Sequence, residues 1–212
     1  MNKMYKEIVV AGLRRPRALA VVLLFYLALK QSAFAHSGSA AAIGLESGFM
    51  HPITGLDHLV AMVAVGLWGA QLGNPAIWAL PITFPLVMAI GGLLGVAGVD
   101  LPLTEQIVAL SGIALGVLIA LRARPPLWVA ALIVGIFAIF HGYAHGRELP
   151  QAADPLSYGV GFVVATGLLH LCGIVLGVLI RWPLGERVVR TCGAGIGCVG
   201  GYFFLAALGA IP

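Results

Sequence analysis

The stretch HPITGLDHLVAMVAVGLW, residues 51–68, decides the fold because it joins an apolar run to ionisable side chains. Most of it is apolar enough to enter a bilayer, and Pro52 suits the first turn of a helix. Asp57 and His58 nevertheless lie inside the same run. An ionisable residue at membrane depth is costly and marks a functional site by default. The stretch therefore predicts a transmembrane helix that carries chemistry in its first turns.

The whole chain has the composition of a polytopic membrane protein. Of its 212 residues, 60% are hydrophobic and 9% are charged, whereas a soluble domain is about 25% charged. Turn-forming residues separate apolar runs of spanning length. The runs cover about 53–73, 76–99, 102–122, 126–145, 157–180 and 190–211. We therefore predict an all-α membrane protein, a six-helix transmembrane bundle that forms a single domain over residues 36–212.

Residues 1–35 have the layout of a cleavable signal peptide. A basic start leads to an apolar run at 18–29, which is short for a span, and Ala33-Phe34-Ala35 resembles a cleavage site. We predict cleavage after Ala35, which leaves His36 as the first residue; an uncleaved anchor is the alternative. From residue 36 on, the chain has six arginines and seven acidic residues, which gives a net charge of −1. The basic charge of the full chain thus belongs to the signal, and we expect no nucleic-acid partner.

Two arguments about orientation agree. A cleaved signal leaves the mature N-terminus outside the cytoplasm, so the second and fourth loops of six spans also lie outside. The positive-inside rule places arginines in the cytoplasmic loops. The predicted inner loops carry Arg122, Arg124, Arg181, Arg187 and Arg190, and the outer loops carry Arg147 alone. We predict a bacterial inner-membrane protein with a periplasmic N-terminus.

The spacing of the first motif leaves two geometries open. His51 and His58 are seven residues apart, so a regular helix places them on one face about 10 Å apart along its axis. Either they mark successive sites, or the chain unwinds near Thr54-Gly55 and brings them together. Asp57 can reach a site shared between helices.

A second motif, FHGYAHGRE at residues 140–148, adds further candidate ligands. His141 and His145 lie one helical turn apart, and Glu148 joins them if the helix continues. Under the predicted topology both motifs reach the outer end of the bundle, together with the α-amine and imidazole of His36. Imidazole and carboxylate ligands suit nickel, cobalt, zinc or copper(II), and the lack of thiolates argues against copper(I).

Each candidate also has a structural alternative. Asp57 with His58 can be a buried structural pair, Glu148 a solvated loop acid, and His36 part of a terminus that binds nothing. His170, near the middle of the fifth span, either hydrogen-bonds between helices or relays ions along a permeation path. Pro81 and Pro85 lie one turn apart in the second span, where they free carbonyls that either serve a pathway or only mark a kink.

The two motifs resemble a known family. HPITGLDH fits H-x5-D-H and FHGYAHGRE fits F-H-G-x-A-H-G-x-E, the signature pair of the HupE/UreJ nickel/cobalt permeases. The resemblance implies a permease domain that takes up Ni²⁺ or Co²⁺ by secondary transport, commonly for hydrogenase or urease maturation. It implies a metal-handling set of His36, His51, Asp57, His58, His141, His145 and Glu148. A histidine in the fifth span, here His170, the possible relay named above, also matches the family. The ion is cargo, and no permanently bound cofactor is expected.

Two other functions remain open from the residues. One is an intramembrane metal-dependent hydrolase, which needs three protein ligands and an open position for water; the chain contains no H-E-x-x-H motif, and we expect no enzyme. The other is a metal-binding or sensor protein without transport. For a transporter, uptake should weaken below about pH 6, because protons compete for imidazoles whose ordinary pKa is about 6.5.

Overall fold

The computed structural model describes residues 40–150 and 153–212, and within these ranges the chain is helical without strands. The α-helices are α1 (Ala40–Thr54), α2 (Leu56–Leu72), α3 (Ala76–Val96), α4 (Thr104–Ala120), α5 (Leu127–Arg147), α6 (Pro155–Val178) and α7 (Pro183–Ala207). A 3₁₀ turn, Leu179–Arg181, joins α6 to α7. The predicted signal peptide 1–35 and His36 lie outside the described residues. The prediction of an all-helical protein is confirmed for the rest.

Four of these helices are long and apolar enough to cross a membrane: α3, α5, α6 with its 3₁₀ turn, and α7. The pair α1 and α2 counts as a fifth span if the two helices are one broken crossing. Helix α4 is apolar but has only 17 residues, short of the roughly 20 that cross a bilayer. By length and composition, the described residues therefore hold four or five candidate spans rather than the predicted six.

The first predicted span is corrected at its N-terminal end. Instead of one helix from about residue 53, α1 begins at Ala40 and meets α2 at an 81° bend. Gly55 lies between them with extended backbone angles, φ −81° and ψ 107°. The Thr54 hydroxyl donates to the carbonyls of Met50 and His51, a local bond that competes with helix continuation. The chain therefore turns just before Asp57 and His58.

Helix α1 exists because small residues let it approach α6. A side chain at Gly44 would meet the Asp154 carbonyl, and one at Gly48 would meet the Tyr158 carbonyl. Close backbone approach through small residues is the usual way for helices to pack in lipid. Residues 40–50 contain no long apolar run, so this helix depends on its packing against α6 and was not predicted from the sequence.

The other helices pack in pairs whose directions can be read from their contacts. Gly91 lies against Ile139 and Gly95 against Tyr143, so α3 and α5 run parallel. By the same reading, α2 runs parallel to α6, and α4 runs antiparallel to α7. These directions are those of consecutive helices that alternate along the chain from α2 to α7.

Apolar side chains cover both the interior and the outside of the fold. Trp68, Phe84 and Leu115 are fully buried between helices. On the outer surface, Leu93 is 70% exposed and Leu156 is 77% exposed. A broad exposed apolar surface suits contact with lipid, which agrees with the membrane location predicted from composition.

Polar contacts gather at the end of the helices where α2 and α4 finish. The Arg122 guanidinium lies 2.7 Å from the Glu186 carboxylate, and the Arg190 Nε donates to the Ala120 carbonyl at 2.9 Å. The Trp68 indole N–H donates to the Ala123 carbonyl. This end carries the arginines assigned to inner loops, and the histidine motifs lie at the other end.

Candidate metal site

The bend at Gly55 decides how the first motif is presented. Because α1 and α2 meet at this turn, the His51 and His58 rings approach to 6.3 Å between centroids. A regular helix would hold them about 10 Å apart along its axis. The structure therefore adopts the unwound alternative, in which both rings face one region.

The second motif is presented by the last turns of α5. His141 and His145 are one turn apart, and both are buried. The backbone N–H of Glu148 donates to the Ala144 carbonyl, so the helical turn continues as far as the carboxylate. The Glu148 Oε2 atom then lies 3.9 Å from the His145 Nδ1 atom.

The two motifs meet at a group of three donors that we call the outer triad: His51, His145 and Glu148. The His51 Nε2 atom lies 2.9 Å from the Glu148 Oε2 atom. One ligand atom from each residue falls within 4.8 Å of the other two. Donors bound to a first-row metal at about 2.0–2.2 Å lie about 3–4 Å apart. Small side-chain rotations would bring the outer triad to that geometry.

Two buried imidazoles lie directly behind the outer triad. The His58 ring is 4.3 Å from the His145 ring and 5.3 Å from the His141 ring, between centroids. The His141 Nδ1 atom donates to the Phe137 carbonyl at 2.8 Å, so the Nε2 atom of the neutral ring carries the lone pair. A histidine held in this way by a backbone carbonyl is typical of metal ligands.

Several of these nitrogens lack partners. Within the described residues, the His58 Nδ1 atom, the His141 Nε2 atom and both ring nitrogens of His145 are buried and make no hydrogen bond. Buried polar atoms are normally satisfied, and each exception calls for an explanation such as a ligand. Unpartnered imidazole nitrogens that face one region fit a divalent cation by donor type and position.

Asp57 lies at the edge of this group. Its Oδ2 atom is 3.9 Å from the His58 Nδ1 atom, too far for a hydrogen bond, and its side chain is partly exposed. It is in the first turn of α2, where a carboxylate interacts favourably with the helix dipole. Asp57 therefore adds negative charge beside His58 without joining the outer triad.

Three aromatic side chains surround the histidines, and their positions were not predicted from the sequence. The Phe162 ring is 4.2 Å from the His145 ring, the Tyr158 ring is 6.2 Å from the His51 ring, and Phe84 is 5.4 Å from His141. Tyr158 and Phe162 lie four residues apart near the start of α6, but aromatic residues at helix ends usually belong to interfacial belts. That pattern alone could not assign them to the site.

His170 lies apart from the cluster, in the middle of α6. It is buried, and the centroid of its ring is 5.6 Å from that of Phe84. His36 lies outside the described residues. Of the six predicted ligands from residue 51 on, five surround one region and Asp57 borders it.

Fold and site together define a polytopic helical membrane protein with imidazoles and carboxylates gathered at one end of its helices. The model of the HupE / UreJ protein family matches residues 23–203. The chain is also 45% identical to Protein HupE of Rhizobium leguminosarum bv. viciae over 174 residues, 82% of this chain and 91% of that protein. The chain therefore belongs to the HupE/UreJ family, and the resemblance of its two motifs is confirmed. No solved structure matches it.

Proposed function

We propose that this protein is a secondary transporter that takes up Ni²⁺ or Co²⁺ as substrate from the periplasm into the cytoplasm. The outer triad lies next to His58 and His141, and we call these five residues the outer cluster. The outer cluster carries the proposal, because it brings imidazole and carboxylate donors for a divalent cation together from two motifs. Membership of the HupE/UreJ family favours transport over the metal-dependent hydrolase that the residues left open.

The donor set supports a borderline divalent ion. Imidazoles and carboxylates bind nickel, cobalt, zinc and copper(II), whereas copper(I) prefers sulfur. The three cysteines are free and lie on α6 and α7, away from the motifs. Ligand type does not separate nickel from cobalt or zinc, so the choice of nickel or cobalt rests on the family. The metal taken up would supply the maturation of a hydrogenase or urease.

The arrangement of the helices supports entry from the periplasmic side. The cluster lies at the start of α2 and the end of α5, whereas the arginine-rich contacts lie at the opposite ends. The positive-inside rule places the arginine end in the cytoplasm. The alternating directions of α2 to α7 support six crossings, with α1 and α2 as one broken first span. A cleaved signal peptide 1–35 and a periplasmic His36 complete this topology.

The exposure of the site explains how an ion is captured, and the membrane potential explains what drives it inward. His51 and Glu148 are partly exposed, so an ion first meets them and exchanges water for their donors, and the buried imidazoles then replace further water. Each charge moved inward along a potential of 100 mV gains about 2.3 kcal/mol, so a dication gains roughly twice that. The membrane potential can therefore drive uptake without a nucleotide, for which the sequence has no binding motif.

Uptake of radioactive nickel and cobalt in a transport-deficient host tests this function. We expect Asp57→Asn and His58→Ala to lower accumulation by about tenfold or more. Glu46→Gln is the matched control, because it removes a carboxylate charge from the exposed face of α1. Accumulation equal to that of the wild type in both site variants, at equal membrane abundance, would refute the mechanism.

A further inference from the structure

A second group of buried polar atoms lies deeper in the helices than the outer cluster. His170 and Thr166 are one turn apart on one face of α6, and they are 2% and 0% exposed. Within the described residues, the Thr166 hydroxyl has no hydrogen-bond partner, and the His170 ring nitrogens have none at regular geometry, although the ring approaches the Pro81 carbonyl. Since buried polar groups are normally satisfied, two exceptions on one helical turn point to a common ligand.

A backbone oxygen of α3 faces the same place. In a helix, the carbonyl of residue 81 accepts from the N–H of residue 85, but Pro85 has none. The Pro81 carbonyl lies beside the His170 ring. A carbonyl without its helical donor is tolerated at membrane depth where it lines a cavity or coordinates an ion.

The ring of Phe84 contacts both this group and the outer cluster. Its centroid is 5.4 Å from that of His141 and 5.6 Å from that of His170. Both sets of polar atoms therefore border one aromatic ring, which is fully buried. His170 thus shares a neighbour with the outer cluster while lying further along α6.

We propose that His170, the Pro81 carbonyl and the Thr166 hydroxyl form a second, transient site for the divalent cation. The inference rests on the proposed transport function and adds a relay to it. One imidazole and two neutral oxygens, without a carboxylate, hold a partly hydrated dication more weakly than the outer cluster does. Weak binding at a second site is what conduction needs, because an ion must leave as readily as it enters.

The test uses full-length protein in proteoliposomes with ⁶³Ni²⁺ outside and an inside-negative potential. We expect His170→Phe and Pro85→Ala to lower the maximal rate by about tenfold. Equilibrium binding of Ni²⁺ to the purified protein and the KM for uptake should stay near their wild-type values, because the outer cluster is unchanged. Pro85→Ala restores the N–H that withdraws the Pro81 carbonyl into the helix.

Pro183→Ala is the control for that variant. It also replaces a proline by alanine, but in the exposed first turn of α7, outside the proposed site. We expect near wild-type flux. Equal losses in Pro183→Ala and Pro85→Ala would overturn the role of the carbonyl.

The remaining outcomes separate the two proposals. Wild-type flux together with undiminished flux in His170→Phe and Pro85→Ala overturns the relay site and leaves transport standing. No flux in the wild type, with Ni²⁺ still bound, overturns the proposed function and the relay with it. If His170→Phe does not give a monodisperse protein, the nearly isosteric Thr166→Val replaces it, and undiminished flux there counts against the site.

Discussion

The contact between His51 and Glu148 shows best how single residues shape the site. Both side chains are partly exposed, at 31% and 54%, and exposed ion pairs contribute little to stability. Their closeness is better explained by a shared ligand, since His145 supplies a third donor within 4.8 Å. We interpret the pair as the first contact for an arriving cation, with the buried imidazoles behind it.

Replacing the carboxylate of Glu148 tests whether this group binds the cation. Glu148→Gln keeps the shape of the side chain but removes its charge, so we expect Ni²⁺ affinity to fall by about 10- to 100-fold. Isothermal titration calorimetry of the purified protein measures the change. Glu46→Gln, the same substitution on the exposed face of α1, should leave affinity unchanged. Equal affinities in all three proteins would exclude Glu148 as a ligand.

Single residues were the most predictable level of the site. Ionisable side chains are rare in apolar spans, so His51, His58, His141 and His145 stand out from the sequence alone. Which of them meet did not follow from the sequence. The partners His51 and Glu148 are 97 residues apart, and their contact depends on the bend at Gly55.

Among the helices, the close pair of α3 and α5 holds the second motif in place. A side chain at Gly142, between the two histidines of that motif, would overlap the Met88 carbonyl. The sequence predicted both spans and their small residues. It could not show which helices pair, because any two small-residue faces can meet in lipid.

Gly142→Ala should separate α3 from α5. Since the added methyl group meets backbone and not a flexible side chain, we expect a loss of about 1–3 kcal/mol in stability. Gly135→Ala, on the same helix, is the control because nothing lies within 4 Å of its added methyl group. Thermal unfolding in detergent compares the two. Equal midpoints would contradict the packing of these helices.

The start of α6 depends on a capping carboxylate. Asp154 accepts hydrogen bonds from the Ser157 hydroxyl and the Ser157 backbone N–H, which hold the pKa of Asp154 below its ordinary value of 3.8. A lowered pKa in the folded state means that the carboxylate stabilises the fold above pH 3.8. That contribution is lost as the pH falls through the lowered pKa.

Asp154→Ala should therefore lower the thermal midpoint at pH 7, because it removes the cap. The difference from the wild type should shrink as the pH is taken below 3.8. Asp100→Ala, in an exposed loop, is the control at each pH. A difference that stays constant over the whole pH range would show that the charge of Asp154 has no part in capping.

For the whole molecule, composition predicted the membrane class correctly, but hydropathy did not predict the form of every span. Hydropathy treats each apolar run as one straight crossing. The described residues contain a 17-residue α4 and a first span that is bent by 81° at Gly55. Neither follows from hydropathy, because a glycine bend and a short helix depend on packing against neighbours such as α6 and α7.

The proposed topology predicts which ends of the helices face the periplasm. In a variant without Cys172, Cys192 and Cys198, a cysteine at Glu46 should react with a membrane-impermeant maleimide added to intact spheroplasts. A cysteine at Arg187, at the arginine-rich end, should react only after lysis. The reverse pattern would contradict the proposed orientation and place the outer cluster at the cytoplasmic face.

Movement of the cation across the membrane distinguishes the proposed permease from a protein that only binds metal. Purified protein in proteoliposomes, with ⁶³Ni²⁺ outside and an inside-negative potential, separates the two. We expect Ni²⁺ to accumulate in the lumen, collapse of the potential to slow this accumulation, and Glu148→Gln nearly to abolish it. Tight binding of Ni²⁺ to the wild type without entry into the lumen would exclude transport and identify a binding or sensor protein.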